Sequence, residues 1–218
     1  MKILAIDTCT EVASVTLYSS NVKTTRVLTD IAKSSGYILK LCDEVFKEAG
    51  NNLQEIDFIS YTKGPGAFTG VRMCVGVVQG LSLSCSIPTL GFSTLELLAF
   101  RASKILKKDK IATAIDARMG EVYWAVYDNG SISNMRICKP ENVDNLGTGF
   151  VGVGTGWKVH NDELIKASQI NHTDSNIYPE STDLIDLSLL AIELGQKATF
   201  DLPQPIYLRN NVAQKSLK

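Results

Sequence analysis

The N-terminal part of the chain alternates short apolar runs with polar connections, which is the pattern of strands joined by turns. Such runs occupy residues 3–7, 13–19 and 23–29, and they predict a meander of three antiparallel strands. Over residues 35–49 the apolar positions recur at offsets of three and four instead, which predicts an amphipathic helix. Gly50 follows this pattern and suits the left-handed conformation that often ends a helix.

Further strands and helices follow in alternation. Residues 56–61 and 87–92 predict strands, and residues 70–85 predict a helix between them. A third helix is predicted from Ser93, whose spacing to Glu96 is that of a capping box. Three antiparallel strands followed by helix, strand, helix, strand and helix are the element order of a ribonuclease-H-like α/β unit.

The first hairpin is repeated later in the chain. An apolar strand ends in Asp7 and leads through a short turn to Glu11 and a return strand. A second apolar strand ends in Asp116 and leads to Glu121 in the same way, with one extra residue in the turn. Ending a strand in aspartate is common, but the glutamate at a matching distance favours a duplicated unit.

The repeat predicts two similar lobes, residues 1–106 and residues 107–218. Two ribonuclease-H-like lobes face to face make the sugar kinase/Hsp70/actin (ASKHA) architecture, in which a nucleotide cleft lies between the lobes and the strand-end hairpins hold phosphates. The second lobe has a weaker pattern. Residues 134–149 are polar and predict an irregular segment, residues 150–154 predict a strand, and residues 182–200 predict a helix.

A glycine-rich loop joins the fourth strand to the second helix. The residues predicted to shape it are Gly64, Pro65, Gly66, Phe68, Thr69, Gly70 and Arg72. Its glycines offer backbone shapes that other residues resist, and Thr69 is predicted to cap the helix. Two interpretations stay open: a connector that aims the helix, or a helix start whose amides contact an anion. The spacing fits neither the Walker pattern nor the dinucleotide fingerprint.

Composition and charge exclude some functions. The formal net charge is −1, which argues against autonomous binding of nucleic acid because such binding usually needs a dense basic face. The chain has only two histidines, His160 and His172, with no third ligand near either in sequence. No metal site is therefore predicted.

The cysteines and the apolar segments bear on the compartment. The five cysteines are odd in number and widely spaced, which fits a reducing cytoplasm better than a disulfide framework. Residues 73–95 carry no charge, but Gln79 and Pro88 interrupt them, so we expect a buried helix and strand rather than a membrane span. The sequence predicts a cytoplasmic protein without a membrane partner.

Five segments together resemble the TsaB (also called YeaZ) family. They are residues 3–11, 63–72, 88–98, 115–123 and 207–210, and they span nearly the whole chain. The most specific of them is a Gly-Pro-Gly-x-Phe-Thr-Gly run followed by arginine. The resemblance implies the two-lobed fold and a place in the synthesis of threonylcarbamoyladenosine in tRNA.

The resemblance also implies partners. A TsaD-like catalytic subunit would transfer a threonylcarbamoyl group to N6 of adenosine 37 in tRNAs reading ANN codons, and a TsaE-like ATPase would join it. This chain would be a non-catalytic scaffold or activator, since it lacks the His-x-x-x-His of TsaD, and it would meet tRNA only through the complex. We expect that this chain alone requires no cofactor. The resemblance allows ATP or ADP at the interface with the catalytic subunit. It also allows the free chain to form a homodimer.

Two enzymatic alternatives stay open at this point. In an ATP-dependent small-molecule kinase of the same fold, Asp7, Thr8, Thr10 and Asp116 would hold a metal–phosphate group. Against it, phosphate hairpins in such enzymes usually carry glycine where this chain has Cys9. A metallopeptidase is disfavoured because the histidine ligands are missing.

The second helix also predicts a docking surface. It has no charged residue after Arg72, and a helix that is apolar nearly all round needs burial on two sides. The resemblance places the catalytic partner on the first two helices. The predicted interface residues are Ser35, Ile38, Leu39, Met73, Gly76, Val77, Gly80 and Leu81. The alternative is that this face is covered within the chain by the first helix or the second lobe.

Overall fold

The computed structural model describes residues 1–29 and 37–209 and contains two five-stranded sheets. In the first sheet, β1 is antiparallel to β2 and parallel to β4, and the strand order is β3-β2-β1-β4-β5. The strands are β1 (Ile3–Asp7), β2 (Ala13–Ser19), β3 (Val22–Leu28), β4 (Phe58–Thr62) and β5 (Thr89–Phe92). All five residues of β1 and of β4 are buried, as expected for strands covered on both faces.

The second sheet repeats the first. Its order, read from the matching edge, is β8-β7-β6-β9-β10, with β6 antiparallel to β7 and parallel to β9. The strands are β6 (Lys110–Asp116), β7 (Val122–Asp128), β8 (Ser131–Cys138), β9 (Val151–Val153) and β10 (His172–Asp174). The matching order confirms the two ribonuclease-H-like lobes and the sugar kinase/Hsp70/actin type of fold. The predicted strand–aspartate–turn repeat corresponds to the β1–β2 and β6–β7 hairpins.

Six helices connect and cover the sheets within the described residues. They are α1 (Ile38–Ala49), α2 (Phe68–Cys85), α3 (Thr94–Leu106), α4 (Gly156–Val159), α5 (Asn161–Ser168) and α6 (Ser181–Glu193). The buried sides of α1 and α2 share one core with the first sheet, formed by aliphatic residues and by Cys42 and Cys74. A second core centres on Trp124 and Trp157, whose rings lie 6.1 Å apart, and covers the second sheet with α4 and α5.

The helices α3 and α6 exchange sheets. Helix α3 follows β5 of the first sheet but packs on β6, β7 and β9 of the second, while α6 follows β10 of the second sheet but packs on β1, β2 and β4 of the first. The boundary that we predict between residues 106 and 107 falls just after α3. This boundary stays a prediction, because the exchange makes the two lobes share their last helices.

Two predictions for the second lobe are wrong. Residues 134–149 were expected to be irregular, yet Ser131–Cys138 form β8. This strand lies at a sheet edge and pairs only with β7, so it needs no apolar face and shows a polar pattern. The last helix ends at Glu193 instead of residue 200. Gly195, with φ of +90°, marks this end in the sequence.

Helix α2 begins two residues earlier than predicted. Its N-cap is Ala67, which makes no side-chain capping bond, so the prediction that Thr69 caps the helix is wrong. By length and composition, α2 is the one helix in the described part of the chain that is apolar enough to cross a membrane, and about a third of it is buried. Core helices have the same character, and the buried side of α2 packs on β1 and β4.

Candidate functional site

A cleft of about 730 Å³ lies between the two lobes, at the ends of β1 and β6. Its walls are the turn after β1, the start of α2, the turn after β6 and the segment 206–209. The wall is mostly apolar, with contributions from Val71, Ile115 and Ile206, and its polar groups sit at the two turns. The cleft therefore lies at the strand ends of both hairpins of the duplicated fold.

The structure separates the four residues predicted to hold a phosphate group. Thr10 and Asp116 line the cleft, whereas Asp7 and Thr8 are fully buried behind its wall. The Thr8 hydroxyl donates to the Gly70 carbonyl at 2.6 Å and so supports the glycine loop. Thr10 is 4% exposed, and its hydroxyl has no hydrogen-bond partner among the described residues.

Asp7 is a buried acid with one unsatisfied oxygen. Its Oδ1 accepts hydrogen bonds from the Thr62 hydroxyl at 2.5 Å and from the Cys9 amide at 3.1 Å, while Oδ2 has no partner among the described residues. Burial raises the pKa of Asp7 from 3.8 to about 6, and the two hydrogen bonds only partly offset this effect. The carboxyl group therefore braces the turn after β1.

Asp116 occupies the equivalent position in the second lobe but is more open. Its Oδ1 accepts from the Arg118 amide at 3.0 Å, and its Oδ2 lies 3.1 Å from the Arg118 guanidinium. His160 Nε2 lies 3.7 Å from Oδ1, and the Thr155 hydroxyl accepts a hydrogen bond from the Asp116 amide. The charge of this carboxylate is thus partly balanced by a side chain of its own turn.

The glycines of the loop are needed for close approach of two backbones. A Cβ atom on Gly66 would lie 2.0 Å from the Cys9 carbonyl oxygen, and one on Gly70 would lie 2.1 Å from that of Thr8. Of the three loop glycines, Gly64 alone has a positive φ, of +92°. The physical reason for Gly66 and Gly70 is therefore steric contact rather than the unusual backbone shape that the sequence suggested.

The backbone of the loop is also hydrogen-bonded to neighbouring segments. The Ala67 amide donates to the Cys9 carbonyl at 2.8 Å, and the Thr94 amide donates to the Gly64 carbonyl at 3.0 Å. Pro65 is buried and follows Gly64 through a cis peptide bond. These contacts tie the loop to the β1–β2 turn and to the start of α3, which supports the connector interpretation.

Sequence reasoning missed the roles of Glu121 and Arg209. Segment 206–209 crosses the cleft: the Ile206 amide donates to the Lys63 carbonyl at 2.6 Å in the first lobe. In the second lobe, the Arg209 guanidinium lies 2.7 Å from Glu121 and donates to the Ala117 carbonyl at 3.0 Å. The only signal in the sequence was the Tyr-Leu-Arg-Asn run behind two prolines, and it carried no indication of these partners.

Arg72 lies at the cleft rim between two aromatic rings. Its guanidinium carbon is 3.5 Å from the centre of the Phe68 ring and 5.9 Å from that of Tyr207. Its Nε donates to the Tyr207 hydroxyl at 3.0 Å. Both aromatic side chains are about half exposed, so the cluster faces outward.

The predicted interface residues fall into three groups. Ile38 is 1% exposed and belongs to the core, so it offers no surface to a partner, and Ser35 lies outside the described residues. Leu39 on α1 is 58% exposed. The remaining residues lie on α2: Met73, Val77 and Leu81 are partly buried, while Gly76 and Gly80 are exposed.

The open side of α2, called the α2 groove below, carries the two exposed glycines Gly76 and Gly80. A Cβ atom on Gly76 or Gly80 would meet no described atom within 4 Å. Segment 199–207 borders one side, since Gln79 Nε2 donates to the Pro203 carbonyl at 2.7 Å. Phe46 of α1 packs on the same core as Met73. Met73, Val77 and Leu81 are thus partly covered within the chain, whereas the two glycines are exposed.

No group of three or more metal-ligating side chains occurs within residues 1–29 and 37–209. The five cysteines are free thiols, and burial raises the pKa of Cys42 to about 12. Cys9 borders the cleft but is fully buried, and its Sγ lies 3.5 Å from the Thr62 carbonyl oxygen. The described residues therefore show no metal-ligating cluster.

Comparison with known proteins gives consistent relatives. The profile of the family described as "TsaD: tRNA N6-adenosine threonylcarbamoyltransferase" matches residues 32–195. The tRNA threonylcarbamoyladenosine biosynthesis protein TsaB of Escherichia coli K12 is 34% identical over 100% of this chain and 98% of its own length. The TsaB protein of Haemophilus influenzae is 32% identical over 100% of this chain and 97% of its own length.

A solved structure agrees with these sequence relatives. YeaZ from Pseudomonas aeruginosa superposes with a TM-score of 0.86 and 33% identity, covering 95% of this chain and 99% of that one. A full-length match at this identity, together with the matching fold, confirms the resemblance seen in the glycine loop and the two hairpins. This chain belongs to the TsaB (YeaZ) family.

Proposed function

We propose that this chain acts in tRNA threonylcarbamoyladenosine biosynthesis as a non-catalytic scaffold that docks on a TsaD-like catalytic subunit. The relatives of matching length carry the name of that biosynthesis. Neither of these two relatives is named a kinase. The observation that carries the docking proposal is helix α2, which has no charged residue after Arg72 yet is only about a third buried.

The chemistry of the cleft supports a non-catalytic role. In the two turns that would have to face a phosphate, backbone amides are already engaged. The Cys9 amide donates to Asp7 Oδ1 at 3.1 Å. The Ala117 amide donates to the Glu121 carbonyl at 2.9 Å, and the Arg118 amide donates to Asp116 Oδ1 at 3.0 Å. Phosphate binding needs amide donors that point at the ligand, whereas these amides are directed to internal partners. Asp7 and Thr8, the two innermost residues of the predicted phosphate site, do not reach the cleft.

The docking face is the groove of α2 with Leu39 beside it. Exposed glycines at positions 76 and 80 allow another helix to approach closely, and Met73, Val77 and Leu81 supply apolar contacts around them. Leu83, at 70% exposed, extends the apolar surface toward the end of the helix. Such a contiguous exposed apolar patch is typical of a protein–protein contact.

The other expected partners complete the proposal. A TsaE-like ATPase would join the pair, ATP or ADP would bind at the interface with the catalytic subunit, and tRNA would be bound only by the assembled complex. A second copy of this chain would compete for the same α2 groove, so homodimer and complex would exclude each other.

The test is binding of the TsaD-family subunit from the same organism, measured by calorimetry. Val77→Glu places a charge in the groove and Gly80→Leu fills it, so each should abolish binding while the melting temperature stays near that of the parent. Ser131→Glu, an exposed change on the edge strand β8, is the matched control. Unchanged binding by a folded Val77→Glu protein would move the interface elsewhere. Modified adenosine formed by this chain without partners would overturn the non-catalytic role.

A further inference from the structure

One charged side chain interrupts the otherwise apolar and glycine-lined groove of α2. Arg72 is exposed and lies one helical turn before Gly76, on the same stripe as Gly76 and Gly80. Its side chain is held flat against Phe68, with the guanidinium carbon 3.5 Å from the ring centre, and Nε is anchored by the Tyr207 hydroxyl. Stacking on one face and an anchor at Nε fix the orientation of the guanidinium before any partner arrives.

The outer edge of this guanidinium has no partner among the described residues. Neither of its terminal nitrogens donates a hydrogen bond to any of residues 1–29 or 37–209, and no carboxylate of those residues lies within 4.0 Å of it. The helix offers no compensation, because a cation in the N-terminal part of a helix is mildly disfavoured by the helix dipole. A paired fork of donors with fixed orientation is the arrangement that binds a carboxylate or a phosphate oxygen pair.

Two occupants share this chemistry, and the surroundings favour one of them. A nucleic-acid phosphate would need several cations to act together, whereas the chain has a net charge of −1 and the nearby Arg118 is already paired with Asp116. A single arginine between aromatic rings, beside exposed Phe68 and Tyr207 and an apolar groove, matches the composition of protein interface centres.

We propose that Arg72 binds a carboxylate of the protein that docks in the α2 groove, and that this ion pair sets the position of the docked partner along the helix. The inference rests on the proposed docking function and adds the chemistry of the contact. The partner would present an aspartate or glutamate at the end of an apolar segment, with the carboxylate facing the Arg72 fork and the apolar side chains facing Gly76 and Gly80.

The experiment measures the affinity for the TsaD-family subunit by calorimetry at low and high salt. Arg72→Gln should weaken binding by about thirtyfold, the loss typical of an interface hot spot, and should remove most of the salt dependence. The affinity of Arg72→Lys should lie between those of the parent and Arg72→Gln, because lysine keeps the charge but loses the paired donors. Arg72→Glu should bind most weakly of these variants. Replacing the contacted aspartate or glutamate of the partner with lysine should restore the binding of Arg72→Glu, because the charges are then exchanged.

Three results would overturn the inference, and each is distinct from failure of the docking proposal. Arg72→Gln binding within threefold of the parent, while Val77→Glu abolishes binding, removes the role of Arg72 but keeps the docking face. Equal losses for Arg72→Gln and for Tyr207→Phe, which deletes the anchoring hydroxyl but keeps the ring, with the salt dependence of binding unchanged in both variants, would make Arg72 a tether for segment 206–209. Unchanged subunit affinity with weaker tRNA binding by the complex would make the occupant a phosphate. Undiminished binding by Val77→Glu would instead disprove the docking face itself.

Discussion

At the scale of the residue, the tightest constraint is the contact between the glycine loop and the β1–β2 turn. Two glycines approach carbonyl oxygens so closely that a single added carbon atom cannot be accommodated without moving backbone. The loop aims α2, so we expect a defect here to be transmitted to the α2 groove proposed for docking. The sequence signalled these glycines by their clustering, but only the fold shows which backbone they meet.

Replacing Gly70 with alanine should destabilise the protein. The new Cβ would lie 2.1 Å from the Thr8 carbonyl oxygen, and relief requires a backbone shift that costs about 1–3 kcal/mol. Gly76→Ala on the same helix is the matched control: its Cβ meets no described atom within 4 Å, so it should stabilise by about 0.5–1 kcal/mol. Urea unfolding of both variants checks the prediction, and similar stabilities for the two would contradict it.

Asp7 should make the free energy of unfolding depend on pH. Its pKa is about 6 in the folded protein against 3.8 for the exposed group, so the folded state binds the extra proton between these values. Stability is therefore expected to fall as the pH rises from about 4 to about 6, by roughly 3 kcal/mol from this group. Asp7→Asn cannot titrate and should lack this contribution.

The measurement for Asp7 is urea unfolding of parent and Asp7→Asn at several pH values. The difference between the two proteins isolates Asp7 from other acids such as Glu96, whose pKa is also raised by burial. A difference that stays constant from pH 4 to pH 7 would show that the pKa of Asp7 is the same in the folded and the unfolded protein.

At the scale of the element, the exchange of α3 and α6 is held by a cluster of charges. Arg101 of α3 contacts Asp183 and, at 2.5 Å, Glu180, while Lys104 of α3 contacts Asp183 at 2.6 Å. Asp183 is 6% exposed and lies in the first turn of α6, where the helix dipole also favours an acid. The cluster fixes the first turn of one exchanged helix against the middle of the other.

Asp183→Ala should cost about 3 kcal/mol of unfolding free energy. This is the lower end for breaking a buried pair, because Arg101 keeps Glu180 as a partner. Lys47→Ala, which removes an exposed i,i+4 pair with Asp43 on α1, is the control and should cost less than about 0.5 kcal/mol. Thermal and urea unfolding compare the two, and equal losses would mean that the buried cluster contributes no more than a surface pair.

At the scale of the whole molecule, segment 206–209 connects the two lobes across the cleft. It bonds to Lys63 on one side and, through Arg209, to Glu121 and the turn after β6 on the other. The Arg209 side chain is 14% exposed, so these contacts are largely shielded from water. Pro203, three residues before this segment, contacts Gln79 of α2, so one stretch of chain runs from the α2 groove to the cleft.

Arg209→Ala should loosen the turn at residues 117–121 without unfolding the lobes. The carbonyl and carboxylate partners of Arg209 would lose a charged donor, and hydrogen exchange in this turn and in segment 206–209 should speed up by tenfold or more, which corresponds to about 1.4 kcal/mol. Arg118→Ala, whose side chain is 84% exposed at the same turn, is the control. Exchange that changes equally in both variants would assign the effect to loss of surface charge.

Much of the fold was predictable because it depends on local patterns. The hairpins, the amphipathic helix α1 and the long apolar α2 follow from the spacing of apolar residues, and the repeat of a strand ending in aspartate predicted two lobes with one topology. The prediction missed β8 because an edge strand with one solvent-facing side carries too weak a pattern. It extended α6 too far because a single glycine, Gly195, was not taken as the end of the helix.

The sequence by itself determined the class of fold, the family and the apolar character of α2, since each of these lies in the order and spacing of neighbouring residues. The tertiary structure decided which residues reach the cleft and which are sealed behind it. It buried Asp7 while leaving Asp116 open, and it brought Arg209 to Glu121 and Arg72 to Tyr207. Those pairs join residues 88 or more positions apart in the chain, and a contact over that distance depends on how sheets and helices pack, which no local pattern encodes.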